Sequence, residues 1–302
     1  MTSGNSLYGP LADVSGDAGY ADGHPPRVGF FTDTSVCIGC KACEVACKEW
    51  NGLPDTQDVL ALTGMSYDNT RELGSNSWRH VAFIEQTVPA RDAEPAEYPL
   101  ITASLDDDES DGDGGATRWL MSSDVCKHCT HAACLDVCPT GALVRTEFGT
   151  VIVQPDVCNG CAYCVSACPY GVIDRREDDG RAWKCTMCYD RLRGGLEPAC
   201  AKACPTDSIQ FGPLDELRET AQERLEHLHA TGHPEARLYG EDPADGVGGT
   251  GAFFLLLDEP EVYGLPPNPV VTTRDLPQMW RWAGAGAGLL AAAVAIAFSG
   301  RH

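Results

Sequence analysis

Residues 158–169 read CNGCAYCVSACP, which spaces Cys158, Cys161, Cys164 and Cys168 as C-x2-C-x2-C-x3-C and sets a proline directly after the fourth cysteine. Outward from there, residues 37–47 (CIGCKACEVAC) repeat the spacing at Cys37, Cys40, Cys43 and Cys47, with Lys48 in the place of the proline. Between these two stretches, residues 126–139 (CKHCTHAACLDVCP) widen one gap to x4, giving Cys126, Cys129, Cys134 and Cys138. Beyond them, Cys185, Cys188, Cys200 and Cys204 widen one gap to x11. All 16 cysteines fall into these groups, so a fourfold recurrence organises the chain. Three thiolates on one tight loop can grip three irons of a cubane, while a fourth on the following helix reaches a neighbouring cluster. Four complete groups therefore imply four 4Fe-4S clusters. Gly39 and Gly160 allow the backbone to approach closely, where its N–H groups can bond sulfide.

The fourth group alone would also suit a zinc ribbon, since two cysteine pairs on a loop satisfy a tetrahedron. Its surroundings argue for iron. Cys138-Pro139, Cys168-Pro169 and Cys204-Pro205 each carry the proline that follows the last ligand of a bacterial ferredoxin run. After each proline comes a similar segment, TGAL at 140–143, YGVI at 170–173 and TDSI at 206–209, leading into a short strand. Residues 142–146 and 150–154 flank a turn at Gly149, which predicts a hairpin between the second and third groups. This is the strand, cluster loop, helix, strand order of a two-cluster ferredoxin, occurring twice. His128 and His131 lie inside a group that already has four thiols, so they read as supporting or surface residues and not as ligands. Lys41, Lys48, Lys127, Lys184 and Lys202 adjoin ligand cysteines, where a cation can offset cluster charge or simply be solvated.

Composition narrows the function. With 44 Asp+Glu against 22 Lys+Arg the net charge is −22, which argues against nucleic acid as a partner. At 43% hydrophobic and 22% charged residues over 302 positions, the chain can bury a core. Residues 1–30 lack the basic and apolar regions of a signal peptide, so the thiols read as metal ligands in preference to disulfides. Residues 1–25, rich in Gly, Pro, Ser and Asp, read as a mobile tail, or as an arm that orders on a partner. The acidic run at 105–115 lacks the spacing and closing Glu of an EF-hand and reads as a solvated loop. Leu214, Leu217, Ala221, Leu225 and Leu228 recur at helical spacing between Pro213 and Gly232. Residues 252–257 (AFFLLL) have strand length, and a proline-rich strap follows. Residues 282–298 carry no charge and predict a single membrane helix at the short end of the spanning range, entered past Trp280, Arg281 and Trp282. No Ser/His/Asp constellation, phosphate loop or G-x-G-x-x-G segment accompanies the clusters, so the chain reads as an electron carrier with no catalytic site of its own.

The x4 and x11 variations resemble the four-cluster electron-transfer subunits of molybdopterin oxidoreductases. Residues 37–51 (CIGCKACEVACKEWN), 197–212 (EPACAKACPTDSIQFG) and 239–269 (YGEDPADGVGGTGAFFLLLDEPEVYGLPPNP) single out the iron-sulfur (beta) subunit of membrane-bound respiratory formate dehydrogenase. The resemblance implies electron transfer from a molybdenum or tungsten molybdopterin catalytic subunit to a membrane cytochrome b and quinone. It implies that Cys37, Cys40, Cys43 and Cys204 hold one cluster and that Cys185, Cys188, Cys200 and Cys47 hold its neighbour. Cys126, Cys129, Cys134 and Cys168 hold a third, and Cys158, Cys161, Cys164 and Cys138 a fourth. The expected fold is α+β, with two bacterial-ferredoxin-like domains, one inserted in the other. The outer domain takes residues 26–118 and 180–212 and the inserted one 119–179. A C-terminal helix and strap (213–278) and a membrane anchor (279–302) follow, placing the protein at the cell membrane. Lys48, the acidic insert and the short tail beyond the apolar segment depart from the family pattern. A polysulfide or dimethyl sulfoxide reductase subunit, and a zinc-binding interaction module, are the competing readings.

Overall fold

A computed structural model describes residues 26–54, 68, 70–88, 116–271 and 273–299. The expected tail at 1–25 and the acidic run at 105–115 lie outside the described residues. Strand β1 (Val28–Asp33) leads through a 3-10 turn into the first cysteine group and helix α1 (Ala42–Asn51). Strands β2 (Arg79–Val88) and β3 (Ala116–Val125) come next, and β3 runs directly into the second group, which carries α2 (Ala133–Asp136). Strands β4 (Leu143–Arg145) and β5 (Val151–Val153) precede the third group and α3 (Tyr163–Ala167). Strands β6 (Asp174–Arg175) and β7 (Ala182–Trp183) precede the fourth, which carries α4 (Tyr189–Arg193) and α5 (Ala199–Lys202). The remaining described elements are β8 (Ile209–Pro213), α6 (Leu214–Ala230), β9 (Arg237–Tyr239), β10 (Ala252–Leu256), a 3-10 helix (Pro260–Tyr263) and α7 (Leu276–Ser299).

One four-stranded sheet, ordered β8-β1-β10-β9, sets the positions of the outer cysteine groups. Strand β1 pairs antiparallel with β8 from Val28↔Pro213 to Thr32↔Ile209. Because β1 enters the first group and β8 leaves the fourth, this pairing brings groups distant in sequence side by side. On its other edge β1 runs parallel to β10, from Phe30↔Ala252 to Asp33↔Leu255. Strand β10 is buried along its whole length, which is why its sequence is continuously apolar and does not alternate. Phe31, Phe253 and Leu255 meet Leu214, Leu217, Ala221 and Leu228 of α6 on one face of the sheet. Phe254 and Leu256 pack on the other face with Leu120, Tyr239 and Leu265. Helix α6 thus fulfils its periodicity, with Asp215 and Glu216 in the first turn and His227 and His229 in the last, where the helix dipole favours acidic and basic groups respectively.

The hairpin expected around Gly149 is present, with Leu143↔Val153 and Arg145↔Val151 in register and Gly149 at φ +77°. The insert between the first two groups contributes two of the described strands. Strands β2 and β3 pair in unbroken register from Arg79↔Val125 to Val88↔Ala116. The apolar C-terminal segment is longer than the charge-free count of 282–298 implied, because the helix continues N-terminally through Arg281 and Trp280 to Leu276.

Candidate iron-sulfur sites

The cysteine loops share a backbone signature. In the first and third groups the glycine before the second cysteine is left-handed (Gly39 φ +64°, Gly160 φ +71°), and so is the residue after it (Lys41 φ +57°, Ala162 φ +63°). The second group turns at His128 (φ +44°) and the fourth at Met187 and Cys188 (φ +56° and +49°). The segments after each proline turn at equivalent places, Gly141 (φ +68°), Gly171 (φ +65°) and Asp207 (φ +52°). Alternating right- and left-handed residues point successive N–H groups into one concavity, a geometry that receives anionic groups. Two backbone donors face sulfur: Met187 N, within the fourth loop, bonds Cys185 Sγ at 3.3 Å, and Ala182 N, on strand β7, bonds Cys158 Sγ at 3.4 Å. Gly39 has a second role, since a Cβ there would sit 2.6 Å from Met121 Sδ and 2.7 Å from Phe83 Cε1. The first cysteine loop is therefore packed directly under the β2–β3 hairpin.

The sixteen thiols gather in four places. Cys37, Cys40, Cys43 and Cys204 line one small cavity, with Ser123 and Thr206 among the other walls. Cys126, Cys129, Cys134 and Cys168 line a second, together with His128 and Lys184. Cys47 lies among Cys185, Cys200 and Cys188. Cys164 lies among Cys158, Cys138 and Cys161. Each gathering draws three thiols from one sequence group and one from another. Among the described residues no three Cys, His, Asp or Glu side chains converge to hold a single metal ion. Thiols that instead surround a space match a cubane, in which each cysteine binds a different iron.

Electrostatics and polar satisfaction test the fit further. Burial pushes the Cys43 and Cys188 thiols up to about 11 and those of Cys134 and Cys185 up to about 12, with neighbouring thiols adding to the effect. Against these stand buried cations. Arg79, 2% exposed, donates from Nη2 to Cys200 Sγ at 3.2 Å. Lys184, also 2% exposed, bonds the Val151 carbonyl and, at 2.9 Å, that of Cys185. Burial opposes charge on Lys184, but Cys126, Cys134 and Cys185 outweigh it and hold the ammonium above its ordinary value. Such cations call for an anionic group among the thiols. His128 is buried, and burial and surrounding cations keep its imidazole neutral. Its Nδ1 accepts from Val151 N at 3.0 Å, which leaves Nε2 as the N–H, and that atom has no acceptor among the described residues although the ring lines the second cavity. An acceptor-rich group such as a sulfide in that cavity satisfies it. The residues present therefore fit iron-sulfur clusters.

The structure separates the lysines that spacing could not. Lys127 and Lys184 are buried, and Lys127 pairs with Asp124 and lies over the rings of Tyr170 and Phe254. Lys202 is exposed and pairs with Glu197 at 3.3 Å, while Lys41 joins Glu44 and Asp68. Three residues outside the cysteine motifs escaped the sequence reading: Arg79, Ser123 and Asn51. Asn51 bonds the Cys47 carbonyl at 2.8 Å and approaches Cys47 Sγ and Cys188 Sγ at 3.7 and 3.8 Å. Its place on α1, one turn beyond Cys47, is a helical i,i+4 relation that could have flagged it. Nothing local distinguishes Arg79 or Ser123.

Two 4Fe-4S dicluster domain families match, one over residues 36–142 and the other over residues 117–214. The iron-sulfur subunit of the nitrate-inducible formate dehydrogenase of Escherichia coli K12 is 37% identical over 272 residues, 89% of this chain and 81% of the relative. The protein belongs to the formate dehydrogenase iron-sulfur subunit family. The Haemophilus influenzae formate dehydrogenase iron-sulfur subunit is likewise 37% identical, over 252 residues, 82% of this chain and 71% of the relative. A subunit of the anaerobic dimethyl sulfoxide reductase of E. coli K12 is 36% identical over 193 residues, 64% of this chain and 77% of the relative. As a member of the formate dehydrogenase family with two dicluster matches and sixteen cysteines, the chain takes four 4Fe-4S clusters as its cofactors and serves electron transfer.

Proposed function

We propose that this chain relays electrons through its four clusters from a molybdopterin catalytic subunit that oxidises formate to a membrane cytochrome b or other quinone-reactive partner. The observation that carries the reading is the reach of the similarity, 272 residues for a formate dehydrogenase subunit against 193 for the dimethyl sulfoxide reductase subunit. Strands β9 and β10, which contain no cysteine, support it. They complete the sheet beside the first group, and their approach loop bonds the second, through His131 N to the Val247 carbonyl at 2.8 Å and Thr130 N to that of Gly249 at 3.0 Å.

Ligation crosses between groups in this reading. Cys37, Cys40 and Cys43 act with Cys204, and Cys185, Cys188 and Cys200 with Cys47. Cys126, Cys129 and Cys134 act with Cys168, and Cys158, Cys161 and Cys164 with Cys138. The outer ferredoxin-like unit then takes 26–118 and 180–212 and encloses an inserted unit at 119–179, an arrangement that the β1–β8 pairing favours. When bound, the clusters supply one-electron carriers. The polypeptide supplies low-dielectric burial, inward N–H groups and fixed cations that set how readily each accepts an electron. Helix α7 attaches the assembly to the membrane.

The test is to purify the tagged chain anaerobically with whatever accompanies it. The expected result is a molybdopterin protein, formate-dependent dye reduction by the complex but not by the isolated chain, and about sixteen irons per chain. Copurification with a dimethyl sulfoxide or polysulfide reductase would move the chain to the competing family branch, and stoichiometric zinc would end the cluster reading.

A further inference from the structure

The β2–β3 hairpin brings to the clusters two polar side chains that the cysteine motifs do not contain. Arg79 opens β2 and Ser123 lies near the end of β3, two positions before the Val125 that pairs with Arg79. The guanidinium is fully enclosed. Its Nη1 donates to the Ser123 carbonyl at 3.1 Å and to Ser123 Oγ at 3.3 Å, and its Nη2 donates to Cys200 Sγ at 3.2 Å. Ser123 Oγ in turn lies 3.2 Å from Cys43 Sγ. The face of the guanidinium rests on the Phe30 ring, 4.9 Å from its centroid. A continuous polar chain therefore runs from Cys43 through Ser123 and Arg79 to Cys200, and these two thiols belong to different gatherings. Among the described residues no carboxylate forms an ion pair with Arg79; the groups facing it that become anionic on binding a cluster are the cysteine sulfurs.

We propose that Arg79, positioned by Ser123, is an electrostatic bridge that raises the reduction potentials of both clusters of the outer pair, the one on Cys37, Cys40, Cys43 and Cys204 and the one on Cys185, Cys188, Cys200 and Cys47. The inference rests on the crossed ligand sets proposed above. Reducing a thiolate-ligated cluster adds one negative charge, and a fixed cation in a low-dielectric interior stabilises the reduced state more than the oxidised one. Donation to a ligand sulfur acts in the same direction. A guanidinium is suited to the role because it cannot be deprotonated and its fork reaches two partners at once, whereas an ammonium acts as a single point charge. The bridge is also asymmetric. The cluster on Cys200 receives Arg79 directly, whereas the one on Cys43 receives it through the Ser123 hydroxyl.

The experiment is an EPR-monitored redox titration of the purified, cluster-loaded complex, comparing the unmodified chain with Arg79→Met, Arg79→Lys and Ser123→Ala, with iron content measured alongside. The expected result for Arg79→Met is a fall in two of the four potentials, those of the outer pair, with the other two unchanged. Arg79→Lys should recover part of the shift. Ser123→Ala should lower the potential of the Cys43 cluster more than that of its neighbour. Four unchanged potentials in Arg79→Met at full iron content would overturn the bridge, as would an equal shift of all four. If Arg79→Met loses iron, the Lys and Ala variants decide, and identical potentials in both overturn it. Absence of either outer-pair signal from the unmodified complex would instead refute the ligand assignment, and the bridge with it.

Discussion

The Cys43 thiol is pushed from an ordinary 9.0 to about 11 and the Cys185 thiol to about 12, chiefly because burial penalises thiolate. A thiol held above its unfolded value contributes stability in full below pH about 9 and loses it as pH rises through the folded value. The iron-free chain should therefore weaken between about pH 9 and pH 12, while the cluster-loaded chain, whose sulfurs are already ligated as thiolates, should not follow that curve. Denaturation midpoints across that window, with and without iron, check this, and parallel curves would count against it. A second prediction concerns Cys47, which is buried among Cys185, Cys188 and Cys200 and follows Cys43 in sequence. Replacing it with serine should disturb the cluster of those three and leave the cluster of Cys37, Cys40 and Cys43 intact; loss of the latter EPR signal would refute crossed ligation. The cysteines could be recognised from sequence because ligand spacing on a tight loop is a local property. Arg79 could not, because its function arises from the fold bringing the start of β2 between two distant thiol groups.

At the scale of elements, the contact between the β2–β3 hairpin and the first cysteine loop depends on the absence of a side chain at Gly39. Both Gly39 and Gly141 are left-handed, at φ +64° and +68°, so alanine at either incurs a backbone cost of about 1–2 kcal/mol. Only Gly39 adds a collision, with Met121 and Phe83, whereas a Cβ at Gly141 meets nothing within 4 Å. Gly39→Ala should therefore lower the melting temperature more than Gly141→Ala and loosen the first cluster, as followed by its EPR line shape; equal effects would show that backbone strain alone matters. The hairpin itself was not legible in the sequence. Arg79, His80 and Val81 are buried in succession, so β2 opens without the alternation that marks a half-exposed strand. Helix α6 was legible for the opposite reason, since Leu214, Leu217, Ala221 and Leu228 face one sheet, Leu225 packs partly beside them, and Glu216, Glu219, Thr220, Gln222, Glu223 and Glu226 are exposed. Replacing Leu217 with alanine should cost about 2–5 kcal/mol through the cavity left against Phe31 and Phe253, measurable by denaturant titration.

For the whole molecule, the question is what the bare helix α7 is for. Residues Gln278–Ser299 form 22 helical positions, within which an 18-residue window has mean hydropathy 1.7 and is nowhere buried against the rest of the described chain. At 1.5 Å per residue they extend about 33 Å, enough for a hydrocarbon layer of about 30 Å. Leu289, Leu290, Ile296 and Phe298 are exposed, and each such side chain gains about 1.5–3 kcal/mol on leaving water. Trp280 and Trp282 stand at the entry, where aromatic rings favour the interface, and Arg281 between them can keep its charge at that level. The same helix could instead lie in an apolar groove of a soluble partner, and the two arrangements differ in what a truncation does. A chain ending after Pro277 should keep its iron and its four cluster signals, because α7 contributes nothing to the cores that hold the thiols. It should lose attachment to membranes, so that the complex moves from the membrane fraction to the soluble fraction or its catalytic portion is released. A full-length complex that stays soluble without detergent would reject the anchor, and unchanged membrane attachment after truncation would assign that role to another subunit.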